Sequence, residues 1–392
     1  MKSLESEEHM HIRKTVFPLA AAIAATVLLL SSCGTKQVFF DYYGTIGNTE
    51  PTVVLNSQVG GQNYEQKFFN EPLKFSEAYP DLEFGKIEIE CLNDYDTPST
   101  IVAGNYIYIQ RRPTETLNLF SRYNMETGTE EELFTYETEY GIGFSAANDK
   151  YIIWCESEDI NEHRYSSHYY DIENGVHKKF HKIRWNNDVL DGNCVYFDET
   201  VGWENGKANI NLYEYNLEKD ELNLIAENRA ANPVPYKGLS WLSFDETSEE
   251  YVLRNIKSSK TISFGKEYFA FNASENIIVG YTYWDTQSGV AYFDGKKAKP
   301  IYIGNTNIDN AESSDKFISW NNYIAADPMY YDIDKNKVVI VDVLEPGHQY
   351  PGKITEKYIA FDALDCIDAP EIPGGKKVRA SIYYFIKTSE LK

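Results

Sequence analysis

Cysteine is scarce in this sequence, with five residues among 392. The five stand singly, without a Cys-x-x-Cys pair or a histidine at ligand spacing, so the pattern predicts neither a zinc site nor a redox motif. A Gly-x-Ser-x-Gly nucleophile motif and a glycine-rich phosphate loop are also missing. We therefore assign no catalytic residue, metal ligand or cofactor from the sequence. A catalytic group assembled from distant loops leaves no local motif, so enzymatic activity stays open as an alternative.

Positive charge is in short supply. Lysine and arginine number 37 against 60 aspartate and glutamate residues, which gives a formal net charge of −23. Residues 1–32 hold three basic and three acidic side chains, so their removal leaves this charge unchanged. A charge of this size repels nucleic acid and anionic membranes, and the sequence predicts neither as a direct partner. It is compatible with cations and basic surfaces, and it also keeps an exported protein soluble.

Amphipathic helical patterns are missing from the main part of the chain. Apolar residues alternate with polar ones instead, as at Ile87 and Ile89 or at Ile107 and Ile109, which is typical of strands. Aromatic residues make up 15% of the sequence, with 31 Tyr and 20 Phe, and flat rings pack well on a pleated surface. The sequence therefore predicts an all-β fold, and a chain of 392 residues can form one all-β domain.

The N-terminal region carries the most specific signal. Arg13 and Lys14 precede an uncharged run at residues 15–30, which is too short for a comfortable transmembrane span and is typical of a secretory signal. The run ends in Leu-Ser-Ser-Cys at Cys33, which resembles the lipobox of bacterial lipoproteins. The resemblance implies a signal peptide at 1–32, cleavage before Cys33, and acyl chains such as palmitate on that residue. An ordinary signal peptide with an incidental cysteine is the alternative, and the acidic residues before Met10 suggest that Met10 is the true start.

Residues 33–81 are irregular and are punctuated by Gly, Pro, Asn and Gln. This composition suits a tether between the lipidated Cys33 and a domain at 82–392. Apolar groups such as Phe68 and Phe69 predict that the tether docks in part on that domain.

A degenerate repeat organises the domain. The run Tyr169-Tyr170-Asp171-Ile172-Glu173-Asn174-Gly175-Val176-His177 combines an aromatic residue, a turn-forming Asp and a Gly, and it predicts a β-hairpin. Related runs occur at residues 122–128, 214–220 and 330–336, with weaker ones at 254–260 and 292–296. A second recurring strand lies upstream of these turns, with groups that start near residues 105, 150, 193, 241, 276, 316 and 357.

The period of roughly 40–50 residues is the spacing of four-stranded propeller blades. The seven groups predict a single β-propeller of seven antiparallel four-stranded blades, with six blades possible because the fourth group is short. A strand at residues 85–91 is expected to complete the last blade and so close the ring. This closure brings Cys91 towards Cys366. Buried free thiols are the expected state of Cys91, Cys155, Cys194 and Cys366, and if a disulfide forms we expect it to join Cys91 and Cys366.

The lipobox, the Asn- and Gly-rich tether and the Tyr-Asp-Ile-x-x-Gly strand ends together resemble bacterial lipoproteins with TolB-like or WD40-like propellers. The resemblance covers residues 82–392 and implies a propeller that faces the extracytoplasmic side of the cell membrane. The Gly-His and Trp-Asp signatures of true WD40 repeats are missing, so their scaffold role does not follow from it.

Acidic residues and histidines provide two further candidate groups. Asp332, Asp334 and Asn336 have the opening spacing of a calcium loop, but the rest of that motif fails, and we interpret them as a turn. The second acidic set, interpreted as a solvated acidic loop, consists of Asp362, Asp365 and Asp368. Surface positions are predicted for the four histidines His163, His168, His177 and His181.

Tryptophan and tyrosine give the remaining functional signal, because rings exposed at a propeller mouth can stack on sugars or hold a peptide. Our candidate ligand-binding residues are Trp203, Tyr283 and Trp284, and the insertions at residues 157–167 and 199–210 are the expected functional loops. The sequence thus favours a membrane-anchored module that binds a peptide, protein or glycan. A propeller enzyme that acts on extracellular glycans is the alternative, and an envelope assembly factor is a third.

Overall fold

The computed structural model of the protein describes residues 37–38, 50–59, 62–94, 96–159, 164–183, 188–204, 207–227, 230–266, 270–281, 288–304, 308–322, 328–344, 352–368 and 376–392. Within these ranges no helix is both long enough and apolar enough to cross a bilayer. The helical content consists of α1 at Phe75–Ala78 and a 3-10 turn at Thr388–Glu390.

Strands dominate the described residues and form seven sheets, which we number in chain order. The first three sheets contain four antiparallel strands each. Sheet 1 contains β6 (Ser99–Ala103), β7 (Tyr106–Arg111), β8 (Leu117–Asn124) and β9 (Thr129–Glu137). Sheet 2 contains β10 (Gly141–Ala147), β11 (Tyr151–Asp159), β12 (Arg164–Asp171) and β13 (Val176–Ile183). Sheet 3 contains β14 (Asp188–Asp191), β15 (Cys194–Glu204), β16 (Lys207–Asn216) and β17 (Glu221–Ala226).

The remaining four sheets are built on the same plan. Sheet 4 contains β18 (Ala231–Val234), β19 (Ser240–Asp245), β20 (Glu250–Asn255) and β21 (Ser258–Gly265). Sheet 5 contains β22 (Ala270–Ala273), β23 (Ile278–Tyr281), β24 (Ser288–Phe293) and β25 (Ala298–Gly304). Sheet 6 contains β26 (Ile308–Ser313), β27 (Phe317–Asn322), β28 (Met329–Asp332) and β29 (Lys337–Ile340). Sheet 7 contains β30 (Gly352–Ile354), β31 (Tyr358–Asp368), β32 (Lys376–Lys387) and β5 (Gly85–Glu90).

The predicted hairpin turns join the third and fourth strands of the sheets. In sheet 2 the Asp171 side chain accepts a hydrogen bond from the Asn174 amide at 3.0 Å, and Gly175 takes the left-handed conformation at φ 64°. In sheet 6 the Asp332 side chain accepts from the Lys335 amide at 3.0 Å, and Asn336 has φ 55°. A short polar side chain followed by a residue that tolerates positive φ is the chemistry that such turns require. The interpretation of both runs as turns is confirmed.

Each sheet packs against the next one through its own apolar cluster. Ile152 and Trp154 of sheet 2, for example, are fully buried against Tyr108 and Phe120 of sheet 1. Clusters of the same kind join sheets 2 and 3, 3 and 4, 4 and 5, 5 and 6, and 6 and 7. A further cluster sets Tyr358 of sheet 7 beside Ile107 of sheet 1. The order of packing is therefore cyclic, as in a β-propeller. The number of blades itself stays a prediction, which these seven sheets are consistent with.

Strand β5 completes the last sheet, as predicted. It pairs antiparallel with β32, from Gly85 opposite Phe385 to Glu90 opposite Ala380. The most N-terminal strand of the domain thus hydrogen-bonds to the most C-terminal one, which covers the edge that β32 would otherwise expose.

The described part of residues 37–81 lies along the outer edges of the sheets. Strand β1 (Gln37–Val38) pairs with β21 of sheet 4. Strands β2 (Val53–Val59) and β3 (Gln62–Phe68) form a hairpin on β25 of sheet 5. Strand β4 (Leu73–Lys74) pairs with β29 of sheet 6. We call β1 to β4 the N-terminal belt, because it visits the edges of sheets 4, 5 and 6 in order before β5 enters sheet 7.

The four described cysteines are free thiols, as expected, and the pair named for a disulfide, Cys91 and Cys366, is not joined. Cys91 donates its backbone amide to Arg379 of β32 at 2.8 Å, whereas Cys366 of β31 lies opposite Val378 on the other side of β32. Strand β32 therefore runs between the two cysteines. Two strand spacings amount to about 10 Å, which exceeds the Cα separation of about 4.4–6.8 Å that a disulfide bridges.

Candidate functional site

Trp203 lies near the tip of an arm that projects from sheet 3. The strands β15 and β16 continue past their neighbours, because β14 reaches only as far as Phe197 and β17 only as far as Leu212. The projecting two-stranded part, residues 199–204 and 207–211, is called the Trp203 arm below. The Trp203 side chain is 68% exposed, and Val201 beside it is also exposed. An indole in this position contributes nothing to the packing between sheets, so the arm presents apolar and aromatic surface directly to solvent.

The other candidate residues from the sequence do not add to this exposed surface in the described part of the chain. Tyr283, Trp284 and the lipidation candidate Cys33 lie outside the described residues. By contrast, Trp154 and Trp320 are fully buried, and both belong to the packing between sheets.

A second projecting arm belongs to sheet 7, where β31 and β32 continue beyond β30 and β5. Its exposed apolar residues include Leu364 and Ile367. Asp365 forms an ion pair with Arg379, which also reaches Glu88 of β5 at 2.8 Å. The interpretation of the acidic set at 362–368 as a loop is therefore wrong, because these residues belong to strand β31, with a bulge between Asp365 and Cys366, and Asp365 has a basic partner across the sheet.

Two enclosed carboxyl groups, Asp188 and Asp198, lie on the first two strands of sheet 3. Asp188 of β14 accepts a hydrogen bond from the Ser145 hydroxyl of β10, which belongs to the neighbouring sheet. Burial raises the pKa of Asp188 to about 7, and the charge of Asp198 adds to this effect. Asp198 itself accepts a hydrogen bond at 2.7 Å from the amide of Asn232 in sheet 4. A carboxylic acid that is still protonated near neutral pH is a group that can donate a proton.

A second polar group occupies the inner strands of sheets 6 and 7. Lys353 of β30 forms an ion pair with Glu312 of β26 at 2.7 Å. The carboxyl group of Asp362, on the adjoining strand β31, has its pKa raised to about 6 by burial, although Lys353 acts in the opposite direction. The propeller therefore carries two sets of enclosed carboxyl groups, one on sheet 3 and one on sheets 6 and 7.

His168 is not a surface residue, so that prediction is wrong. It is 3% exposed and its ring stacks on Trp154 with centroids 5.4 Å apart. Its Nε2 atom lies 3.2 Å from the Glu156 carboxylate, and its Nδ1 atom lies 3.0 Å from Nε2 of His177. A relay in which His177 donates to His168 and His168 donates to Glu156 satisfies all three groups. The ring of His177 packs against Tyr136 and Trp154, and the partial loss of solvation there lowers its pKa.

The buried histidine network is structural. Glu156 also accepts hydrogen bonds from Tyr136 and Thr138 of sheet 1 or its adjoining loop, so the network ties sheets 1 and 2 together. Ser166, which contacts His168 at 2.9 Å, is fully buried and has no access to a substrate.

A shallow groove of about 670 Å³ lies on the turn-bearing side of sheets 6, 7 and 1. Its charged lining mixes both signs and includes Glu126, Lys316, Asp334, Lys335, Glu356 and Lys357. Among the described residues, no three His, Cys, Asp or Glu side chains are arranged to hold a metal ion.

No protein-family model matches the chain, and no curated protein matches its sequence. Among solved structures it is similar to a prolyl endopeptidase at a TM-score of 0.52 and 12% identity, over 75% of this chain and 50% of that one. The chain is also similar to the β-propeller domain of the trilobed protease from Pyrococcus furiosus, at a TM-score of 0.46 and 12% identity, over 73% of this chain and 93% of that one. A third similar structure is an oligogalacturonate lyase in complex with manganese, at a TM-score of 0.46 and 9% identity, over 88% of this chain and 98% of that one.

At these identities the likeness shows the fold alone, and this chain is a β-propeller protein. It spans about half the length of the prolyl endopeptidase.

Sequence reasoning missed Asp188, Glu312 and Lys353. All three lie on first strands of three to six residues, β14, β26 and β30, where a short run carries no repeat pattern. A weak signal was available for Asp188, since it begins a short apolar run just before the strand at Cys194.

Proposed function

We propose that the chain is an extracytoplasmic lipoprotein, anchored through Cys33, whose propeller binds a peptide, protein or glycan. The observation that carries the binding role is the Trp203 arm, which holds an indole 68% exposed on a two-stranded projection. Val201 and Trp203 are both exposed on this projection, and apolar side chains exposed next to one another mark surfaces that bind a ligand. Tryptophan is also among the residues that contribute most to binding interfaces, and its flat face stacks on sugar rings.

The test of binding uses the full chain in detergent on glycan and peptide arrays. A ligand found with the unmodified protein is then titrated against Trp203→Ala, and we expect at least about a 30-fold loss of affinity, the effect of removing a dominant interface residue. Leu224→Ala is the matched control, because Leu224 is an exposed apolar residue on the outer strand of the same sheet. Equal affinity of the Trp203→Ala variant and the unmodified protein would refute the role of the arm.

The anchoring part is tested separately. Intact mass of the purified protein reads the acyl chains, and Cys33→Ala should release the protein from the membrane fraction. If the variant stays membrane-bound and the unmodified protein carries no acyl chain, the anchor is refuted.

A second candidate function is a propeller enzyme that acts on extracellular glycans. The observation in its favour is Asp188, whose pKa of about 7 suits a general acid. Asp188→Asn would then abolish turnover of a glycan that the protein cleaves, while Asp191→Asn at the exposed end of the same strand would leave turnover intact. Binding without turnover across the array would favour the binding module instead.

A further inference from the structure

The N-terminal belt fixes where a lipid on Cys33 meets the propeller. The belt begins at Gln37, which pairs with Ile262 on the outer strand of sheet 4. Four residue steps separate Cys33 from Gln37, and an extended chain spans at most about 3.6 Å per step. The membrane surface therefore lies within about 14 Å of this edge of sheet 4, which leaves no room for a long spacer.

The direction of β1 selects one end of sheet 4. The pairing of β1 with β21 is parallel, so the N-terminal end of β1 points towards Ser258, where β21 begins. Ser258 follows directly on the turn at Ile256 and Lys257, whereas the other end of β21 leads to Lys266. The chain thus approaches sheet 4 from the side of the Ile256 turn.

The two ends of sheet 4 also differ in charge, and the end that the chain approaches is the basic one. The end with the Ile256 turn carries three exposed lysines, Lys237, Lys257 and Lys260. At the opposite end, the turn between β19 and β20 is acidic, with Asp245, Glu246, Glu249 and Glu250 against the single Lys266. The adjoining turn of sheet 5 adds two more exposed lysines, Lys296 and Lys297, to the basic end. These five exposed lysines outnumber the acidic residues at this end, where Glu275 accepts a hydrogen bond from the Gly238 amide at 2.9 Å and Asp294 forms an ion pair with Lys299 at 2.8 Å.

An apolar residue stands in the middle of this basic group. Ile256 is 47% exposed at the apex of the hairpin that joins β20 and β21. Exposed lysines around an exposed aliphatic side chain are the composition of surfaces that rest on anionic lipid headgroups.

We infer that the turn end of sheets 4 and 5, with Ile256 and its surrounding lysines Lys237, Lys257, Lys260, Lys296 and Lys297, rests on the anionic surface of the bilayer that holds the Cys33 lipid. This inference rests on the proposed lipid anchor and adds an orientation to it. Only charges within about one Debye length of the bilayer, about 8–10 Å, act strongly on it, so the acidic remainder of the molecule does not prevent the contact. The Trp203 arm belongs to the neighbouring sheet 3 and projects from the end opposite to the turns, so it points away from the bilayer.

Lysine footprinting of the full acylated chain tests this orientation. The protein is reconstituted into vesicles of phosphatidylcholine with phosphatidylglycerol, labelled with an amine reagent, and compared by peptide mass spectrometry with the same protein in detergent. We expect a several-fold drop in the labelling of Lys257 and Lys260 in vesicles, and unchanged labelling of Lys266. Lys260 and Lys266 are a matched pair, because both are exposed and they lie near opposite ends of β21, Lys260 in its first part and Lys266 just after its last residue. Equal labelling of Lys257 and Lys260 in both conditions, or equal protection of Lys266, would overturn the inference.

The same spectra separate the two proposals. An N-terminal peptide without acyl chains refutes the anchor and this inference together, whereas an acylated peptide with unprotected Lys257 and Lys260 refutes the orientation alone. The double variant K257E/K260E should lose the extra protection that phosphatidylglycerol gives to Lys296 and Lys297 over phosphatidylcholine alone. The control K266E should keep it, and loss of protection in K266E would also count against the basic end as the contact.

Discussion

Asp188 is the residue in which environment changes chemistry most clearly. Enclosure between the inner strands of sheets 2 and 3 disfavours its charged form, and the neighbouring Asp198 adds repulsion. The hydrogen bond from the Ser145 hydroxyl stabilises the ionised form of Asp188 and offsets only part of the rise in its pKa. Burial of Asp188 therefore either lowers the stability of the folded protein or provides an acid that can act on a ligand.

Burial of Asp188 predicts that the free energy of unfolding depends on pH. The pKa of Asp188 is raised from 3.8 to about 7, so the folded state holds this proton more tightly and the free energy of unfolding falls as the pH rises from about 4 to about 7. Asp188→Asn removes the ionisation, and we expect it to raise the free energy of unfolding by about 1–3 kcal/mol at pH 8, with little effect at pH 4. Urea denaturation at both pH values measures the change. The exposed Asp191→Asn serves as the control, and an Asp188→Asn effect that is the same at both pH values would contradict the assignment.

The N-terminal belt is the element that most changes the picture of the chain. Residues interpreted in the sequence as a tether that docks in part on the domain form strands on sheets 4, 5 and 6, and Phe68 and Phe75 are fully buried. Strand pairing and apolar burial act together, because β3 adds hydrogen bonds to β25 while Phe68 packs edge-on against Tyr302 at 5.4 Å. The belt also covers outer edges that would otherwise be open to other strands.

Phe68 offers a direct test of the belt. Truncation to Ala in Phe68→Ala removes a fully buried ring between β3 and sheet 5, and we expect a loss of about 3–5 kcal/mol in the free energy of unfolding. Val54→Ala on the same hairpin should change it by less than about 0.5 kcal/mol, because Val54 is 46% exposed. Equal midpoints in urea for both variants would show that the belt does not contribute to the folded core.

The whole molecule depends on a cycle of sheet contacts that β5 completes. Ile89 of β5 is fully buried in the cluster that joins sheet 7 to sheet 1, so it belongs to the contact that closes the cycle. Because each sheet packs against two neighbours, loss at one contact is expected to weaken the ring as a unit rather than release one sheet.

This cooperativity predicts the behaviour of an Ile89→Ala variant. We expect the free energy of unfolding to fall by about 2–5 kcal/mol, with tryptophan fluorescence and far-ultraviolet circular dichroism still changing together. The exposed Glu90→Ala, one residue further along β5, is the control. Separate transitions for the two probes in Ile89→Ala would mean that sheet 7 opens on its own.

Net charge is a further property whose meaning depends on the whole molecule. A total of −23 argues against an anionic membrane as a partner when it is treated as a single number. The fold, however, brings turns from different sheets to one end of the propeller, and Lys237, Lys257, Lys260, Lys296 and Lys297 of sheets 4 and 5 lie together there. Local charge rather than net charge decides what a given side of the protein attracts.

Local patterns were enough for the class of fold, for the turns and for the closing strand. The alternation of apolar residues predicts strands, and Asp171 or Asp332 before a residue with positive φ predicts a turn, because both signals depend on neighbours in the sequence. The closing strand at residues 85–90 was predictable because the last sheet needed a strand to cover its edge. The exposed position of Trp203 followed likewise from its polar, glycine-flanked surroundings.

Tertiary structure alone decided the rest, because those features depend on residues far apart in the chain. His168 is buried only because Tyr136 and Trp154 cover it, and Asp188 has its raised pKa only because sheets 2 and 3 enclose it. Cys91 and Cys366 share a sheet, yet β32 runs between them, and the number of intervening strands cannot be read from the spacing of two cysteines. The sequence by itself determined that strands form and where they turn, since those preferences are local. Which side chains meet was decided by the cyclic packing of the sheets, since that packing joins the two ends of the chain.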